Sequence, residues 1–366
     1  SGSALEKDGK LYLYYTGNVR HAGDFDYIHA GREQNVLRVE SADGVHFTHK
    51  TLLMTSDDFP ADMTNHVRDP QIIQQDGRLY MLLGGRTQAD VGCALVYESG
   101  DGSHFRLVNR LSTAEPFGYM WECPDLAVLD GQPLLICCPQ GIPHQLFRYQ
   151  NSHQCGCFAL EGNFAAGATL GAFQPFDYGF DLYAARTLKA SDGRVLLFAW
   201  MGMSETSYGH NPSASQGWDQ AIAMPRELSW KDGHLWQRPL AELEALRGPR
   251  TRQDGREAAR FHSRRCELVV RPDAGQDVTV HLYEDAVLRF CAAEGLLTLE
   301  MGPVCGAGRD VRRMKLDKLE AGAVPGRFNS GSLCQRRVRH SDQPYLRHRG
   351  HPCGGRLCRR SRLLSH

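Results

Sequence analysis

Three stretches of this chain are apolar at almost every position: Leu11-Tyr12-Leu13-Tyr14-Tyr15, Leu79-Tyr80-Met81-Leu82-Leu83 and Val195-Leu196-Leu197-Phe198-Ala199-Trp200. Runs this short, with no helical spacing, read as strands covered on both faces. Each follows an Asp-Gly pair, at Asp8-Gly9, Asp76-Gly77 and Asp192-Gly193, and the pair recurs at Asp130-Gly131 and Asp232-Gly233. Asp-Gly between β-rich segments is a hairpin signal. A second turn series, Ser41-Ala42-Asp43-Gly44-Val45-His46-Phe47 and Ser99-Gly100-Asp101-Gly102-Ser103-His104-Phe105, repeats after 58 residues. Two interleaved turn types predict a recurring antiparallel unit of about four strands. Such a unit cannot cover its own faces, and radial stacking of several makes a β-propeller, with a β-sandwich as the alternative. Gly17, Gly84, Gly141 and Gly202 follow the apolar strands, where inner strands would converge.

The pattern changes after Trp236-Gln237-Arg238-Pro239-Leu240. Ala241-Glu242-Leu243-Glu244-Ala245-Leu246 forms a helix-prone segment that Gly248-Pro249 ends. The expected division is therefore a propeller domain over 1–240, a linker and the start of a β-sandwich over 241–300, and a basic low-order tail over 301–366. Charge supports the last boundary. The whole chain balances 42 basic against 42 acidic residues, yet residues 301–366 hold 15 basic against 4 acidic. Clustered arginine can neutralise phosphates. The tail lacks alternation, however, and its Arg, Gly, Cys and Pro content resembles shifted GC-rich coding sequence, so no nucleic-acid partner is expected.

Twelve scattered cysteines and the absence of a secretory leader at Ser1 point to a reducing cytoplasm. Cys137-Cys138 lies in an apolar run and reads as core packing, and Cys155-Gly156-Cys157 lacks zinc-site spacing. No apolar run approaches the roughly 18 residues of a spanning helix, so no membrane association is expected.

Two acidic clusters stand out: Arg68-Asp69-Pro70 and Trp121-Glu122-Cys123-Pro124-Asp125. A proline ring biases the residue before it toward extended backbone, which is the conformation expected at Asp69. Glycosidic hydrolysis needs a carboxylic acid to protonate the leaving oxygen and a second carboxylate across the anomeric carbon. Glu122 suits the acid, with Trp121 and Tyr119 beside it to exclude water and favour the protonated carboxyl. Asp69, next to Arg68, should stay ionised.

These clusters resemble the two inner signatures of glycoside hydrolase family 32, the invertases and sucrose-6-phosphate hydrolases. Ser1-Gly2-Ser3-Ala4 is similar to the end of its Phe-Ser-Gly-Ser motif, Asp181-Leu182-Tyr183-Ala184 to its Asp-x-Tyr-Ala element, and Leu197-Phe198-Ala199-Trp200-Met201 to its later tryptophan strand. The resemblance implies a five-bladed β-propeller lacking its first blade, followed by a remnant of a C-terminal β-sandwich. It implies retaining cleavage of the fructosyl bond of sucrose or sucrose 6-phosphate, with no cofactor or metal. Glu122 would be the acid/base and Asp69 the stabiliser of the transition state. Arg68, Ser1, Asp181, Tyr183 and Trp200 would line the sugar site. The family nucleophile lies in an Asn-Asp-Pro-Asn-Gly motif, which these 366 residues do not contain; a chain of low activity is expected, with a non-catalytic glycan-binding propeller as the alternative. Ala184-Ala185-Arg186 stands where the family commonly has Ala-Pro-Gln, and Arg20, His21, Arg32 and Arg186 are candidate anion contacts.

Overall fold

A computed structural model describes residues 1–206, 208, 212–252, 259–262, 266–316, 321–323 and 362–365. Its first part is four antiparallel sheets in chain order. The first holds β1 (Gly2–Lys7), β2 (Lys10–Arg20), β3 (Arg32–Ser41) and β4 (Thr51–Met54), and the second β5 (Met63–Gln75), β6 (Arg78–Thr87), β7 (Gly92–Ser99) and β8 (Arg106–Leu111). The third holds β9 (Met120–Leu129), β10 (Gln132–Gln140), β11 (Gly156–Asn163) and β12 (Gly167–Pro175). In the fourth, β13 (Tyr183–Lys189) pairs with β14 (Val195–Met201), which pairs with the short β15 (Ala221–Ile222) and with β16 (Arg226–Lys231); β17 (His234–Pro239) closes the edge. The first strands β1, β5, β9 and β13 lie side by side in that order.

Turn chemistry explains the meanders. Asp8, Asp76, Asp130 and Asp232 all have positive φ, as do the glycines after them, so each pair forms the two-residue turn that matches strand twist. The Asp192-Gly193 turn is longer: Lys189 pairs with Val195 and only Gly193 is left-handed. In the second series, Asp43 Oδ1 accepts from the amides of Val45 and His46, and Asp101 Oδ1 from those of Ser103 and His104. Asp26 builds the same turn with Ile28 and His29, a third copy the sequence pattern did not reveal.

The run Leu79–Leu83 is covered on both sides, as its composition predicts, whereas only Tyr14 of Leu11–Tyr15 is buried and Phe198 of Val195–Trp200 is exposed. Met81 and Leu83 of β6 pack with Tyr14, Val36 and Met54 of the first sheet, while Leu82 between them faces Trp121, Leu135 and Phe158 of the third. Ile136 and Cys138 join Leu182, Tyr183 and Leu197 of the fourth sheet, and Cys137 turns the other way. Side chains alternate across a strand, so one run feeds two cores. Cys137 and Cys138 are fully buried, and burial first of all pushes both thiols well above their ordinary value, as expected of packing residues.

Residues Ala241–Leu246 form a 3-10 helix. A fifth sheet follows, with strand order β18 (Ala259–Phe261), β25 (Arg362–Ser365), β20 (Val278–Leu282), β21 (Ala286–Cys291), β22 (Leu296–Met301) and β23 (Val311–Lys315); β19 (Leu268–Val270) pairs separately with β24 (Ala321–Ala323), and the short helix α1 (Pro303–Gly306) precedes β23. The boundary drawn at residue 300 thus falls inside this sheet. Met301, Met314 and Leu316 belong to its core, and the alternation of Val311-Arg312-Arg313-Met314-Lys315 is diluted when charge is averaged over the whole tail. The basic runs at 336–340 and 359–361 lie outside the described residues. Among the described residues, no helix is long and apolar enough to cross a membrane.

The two parts are joined through the segment before β13. Phe180 is buried in the core of the fifth sheet, and the Arg312 guanidinium lies 3.9 Å over its ring. Arg309 grips both oxygens of Asp181, at 2.7 and 3.1 Å, with 7% and 1% of the two residues exposed. Removing one partner of a buried pair strands the other charge, at a cost of about 3–5 kcal/mol. Arg309→Met is therefore expected to lower the urea stability by that amount, and adding Asp181→Leu to recover much of it. Equal stability of wild type and Arg309→Met would show the pair to be unimportant.

Candidate active site

Asp69 lies on β5, and its backbone is left-handed (φ 65°) rather than extended as the proline rule predicts. The register between β5 and β6 slips here, between Arg68 and Gln71. The same event recurs on the next two first strands. Cys123 has φ 50°, beside a slip between Ile136 and Cys138, and Ala184 has φ 51°, between Tyr183 and Arg186. Bulges overrule the local preference, and proline fits them because its missing N–H costs the ladder nothing there.

The slips bring the charged groups together. Regular strands send neighbouring side chains to opposite faces, yet both Arg68 and Asp69 reach one spot, with Arg68 Nε 4.0 Å from Asp69 Oδ2. The same guanidinium donates to Glu122 Oε1 from Nε at 2.9 Å and from Nη2 at 2.6 Å. The other oxygen, Oε2, accepts from Gln140 Nε2 at 2.8 Å and from the Tyr183 hydroxyl at 2.5 Å. Tyr183 meets Trp200 edge-on, with ring centroids 6.5 Å apart. Asp69 accepts from the Ser1 hydroxyl at 2.7 Å, from the Ser1 nitrogen at 2.9 Å and from the Cys123 amide at 3.0 Å. Ser1, Arg68, Asp69, Glu122, Tyr183 and Trp200 thus form one connected cluster.

Two expectations are corrected. Asp181 is not part of the cluster, because Arg309 takes both its oxygens. Trp121 does not shield Glu122. As the next residue along a strand it points away, stacks on Phe158 at 5.2 Å and donates to the Phe117 carbonyl at 2.7 Å. Tyr119 packs under the Arg86 guanidinium, 4.4 Å from its ring.

Sequence reasoning overlooked Gln140, whose only signal was its place before Gly141, and Gln34, which accepts from Arg68 Nη1 at 3.2 Å. It also misjudged Arg186. This side chain donates to the carbonyl of Pro124 at 2.5 Å and to that of Asp69 at 3.2 Å, and so ties together the three bulged strands. Beneath it, Asp125 accepts from the Thr187 amide at 2.6 Å, the Thr187 hydroxyl at 2.8 Å and Gln71 Nε2.

Burial opposes ionisation of Asp69, but the positive charges around it, Arg68 and then Arg186 among them, outweigh it and hold its carboxyl well below the ordinary range. Burial first, and then the Glu122 carboxylate, push the Tyr183 phenol well above its usual value, which keeps the hydroxyl protonated. Burial also opposes the Arg68 charge, while Glu122 and Asp69 more than restore it. Among the described residues no group of three or more His, Cys, Asp or Glu could hold a metal ion.

Two carboxylates bridged by one guanidinium thus lie at the junction of repeated β units. The family model "Glycosyl hydrolases family 32 N-terminal domain" matches residues 1–239, and the chain belongs to that family. It is 40% identical over 257 residues to a sucrose-6-phosphate hydrolase of Klebsiella pneumoniae, covering 68% of this chain and 53% of that protein. A sucrose-6-phosphate hydrolase of Bacillus subtilis is 33% identical over 337 residues, covering 87% of this chain and 67% of that protein. The solved sucrose-6-phosphate hydrolase of Lactobacillus gasseri superposes with a TM-score of 0.75 at 27% identity, covering 91% of this chain and 74% of that one. The chain thus spans about half the length of its Klebsiella relative.

Two measurements check the electrostatics. A depressed folded value means that Asp69 contributes its full stabilisation above the unfolded carboxylate value of about 3.9 and loses it as pH falls through the folded one. Asp69→Asn is expected to flatten the acid limb of the urea midpoint plotted against pH; an acid limb identical to wild type would contradict this. Tyr183→Phe, which takes one charged hydrogen bond from Glu122, is expected to cost about 1.5–3 kcal/mol in the same assay at pH 7. A loss under half that would place Tyr183 outside the network.

Proposed function

We propose that this chain carries the acid/base and transition-state-stabilising half of a retaining β-fructofuranosidase site, on a five-bladed propeller whose first blade lies outside these residues. The observation that carries the reading is the shared grip of Arg68 on Glu122 and Asp69. It holds a proton donor and a permanent anion against the same guanidinium. Glu122 would give its proton to the glycosidic oxygen as the C–O bond breaks and a nucleophilic carboxylate from outside these residues bonds the anomeric carbon, then take a proton from the water that displaces that carboxylate. Of its partners, the Tyr183 hydroxyl can turn from donor to acceptor when Glu122 is protonated. Asp69, ionised throughout, would accept hydrogen bonds from fructosyl hydroxyls, and Trp200 would flank the ring beside Tyr183.

Sucrose and sucrose 6-phosphate are the proposed substrates, supported by the names of the similar proteins. Every cysteine among the described residues is a free thiol, which suits a cytoplasmic setting. A catalytic set that acts as a unit loses most of its acceleration with one member gone, and the Asn-Asp-Pro-Asn-Gly carboxylate is not in these 366 residues. A second reading is a propeller that binds fructosides without cleaving them. The test is calorimetry with fructosides beside an assay of fructose release. Binding without measurable release is expected of this chain. Failure to bind any fructoside would overturn the assignment, and rapid fructose release would overturn the expected inactivity.

A further inference from the structure

Next to Glu122, positive charge accumulates without an acid to balance it. Arg32 and Gln34 lie two apart on β3 and so share a face, and each meets a residue of β5, His66 and Arg68 respectively. Gln34 holds Arg68, and Arg32 Nη1 sits 2.8 Å from His66 Nε2. The two pairs form a continuous polar row that runs from Glu122 through Arg68 to His66 and Arg32. Arg20 lies opposite Arg32 in the β2–β3 register, with its guanidinium 3.9 Å over the Tyr27 ring.

The neighbouring carboxylates are already engaged. Glu33 binds His21 and Asn35, Asp26 caps its own turn, Asp90 holds Arg86, and Glu122 accepts at both oxygens. Among the described residues neither Arg20 nor Arg32 forms an ion pair, and Arg32 Nε and His66 Nδ1 are buried with no hydrogen-bond partner. Unpaired donors of this kind are costly unless something fills them. Burial, then Arg68 and Arg32, pull the His66 imidazole down to about 4, and burial, then Arg68 and Arg20, also lower Arg32. An arriving anion would relieve both.

We infer that Arg32 and His66, with Arg20 beside them, form an anion subsite bordering Glu122 that takes the phosphate group of a phosphorylated sugar. Guanidinium and imidazole N–H groups match phosphate oxygens in geometry and charge. The subsite rests on the glycosidase reading of Glu122 and would choose between the two proposed substrates. Of the other candidate anion contacts, Arg186 is committed to backbone carbonyls and His21 to Glu33.

Calorimetry on the 366-residue chain with sucrose and with sucrose 6-phosphate, at low and moderate salt, tests this. The phosphorylated sugar is expected to bind tighter by about tenfold or more, as one or two charged hydrogen bonds provide, with the advantage shrinking as salt rises. Arg32→Gln and His66→Gln, each verified as folded by its thermal transition, are expected to bring the ratio of the two affinities close to one. The exposed Arg20→Gln should reduce it in part, and it keeps the test available if the buried variants do not fold. Equal affinity of wild type for both sugars, or an unchanged ratio in the variants, would overturn the subsite while leaving the glycosidase reading standing. Failure of both sugars to bind would overturn the two together.

Discussion

One backbone event, repeated three times, organises this molecule: a left-handed residue on the first strand of three successive sheets, at Asp69, Cys123 and Ala184. A non-glycine residue in that region costs on the order of 1–3 kcal/mol, so it persists only where surrounding contacts hold it. Here the contacts run between the bulges. The Asp69 amide donates to Thr16 Oγ1 at 2.9 Å, the Cys123 amide donates to Asp69, and Arg186 reaches the carbonyls of Asp69 and Pro124. Each bulge is stabilised by its neighbour. The result is that Arg68, Asp69, Glu122 and Tyr183, drawn from three sheets, reach a common place.

A second regularity lies just beyond the bulges. Ser3 Oγ accepts from the Ile72 amide, Gln71 Oε1 from the Leu126 amide and Asp125 Oδ2 from the Thr187 amide. Each first strand thus lends a side-chain acceptor to the main chain of the next, at corresponding positions. Buried polar groups bonded in this way fix the offset between sheets, whereas apolar packing between the same sheets would tolerate sliding. Arg186 occupies the corresponding position in the fourth sheet. It has no acceptor to offer forward and reaches back instead, a local departure that strengthens the link between the fourth sheet and the two before it.

The fifth sheet contributes at a distance. Arg309 and the core around Phe180 hold the segment immediately before Tyr183, so a change there is felt at the strand that donates to Glu122. Glycosidase function would then depend on residues outside the repeated β units. A reading of 301–316 as part of a featureless basic tail hides this.

Much was legible beforehand for stated reasons. Asp-Gly pairs favour left-handed backbone, so they mark the hairpins at Asp8, Asp76, Asp130 and Asp232; the apolar run Leu79–Leu83 needs two covers, so it predicts a strand sandwiched between sheets; and Arg68-Asp69-Pro70 and Trp121-Glu122-Cys123 are improbable as core and therefore read as a site. Tertiary structure alone decided which face each side chain took. It turned Trp121 into the core and Glu122 out, set Asp69 left-handed against the preference of its proline, gave Asp181 to Arg309, and recruited Gln34, Gln140 and Arg186. Those outcomes depend on bulges whose compensating hydrogen bonds come from residues more than fifty positions away, and no local pattern in the chain encodes a partner at that range.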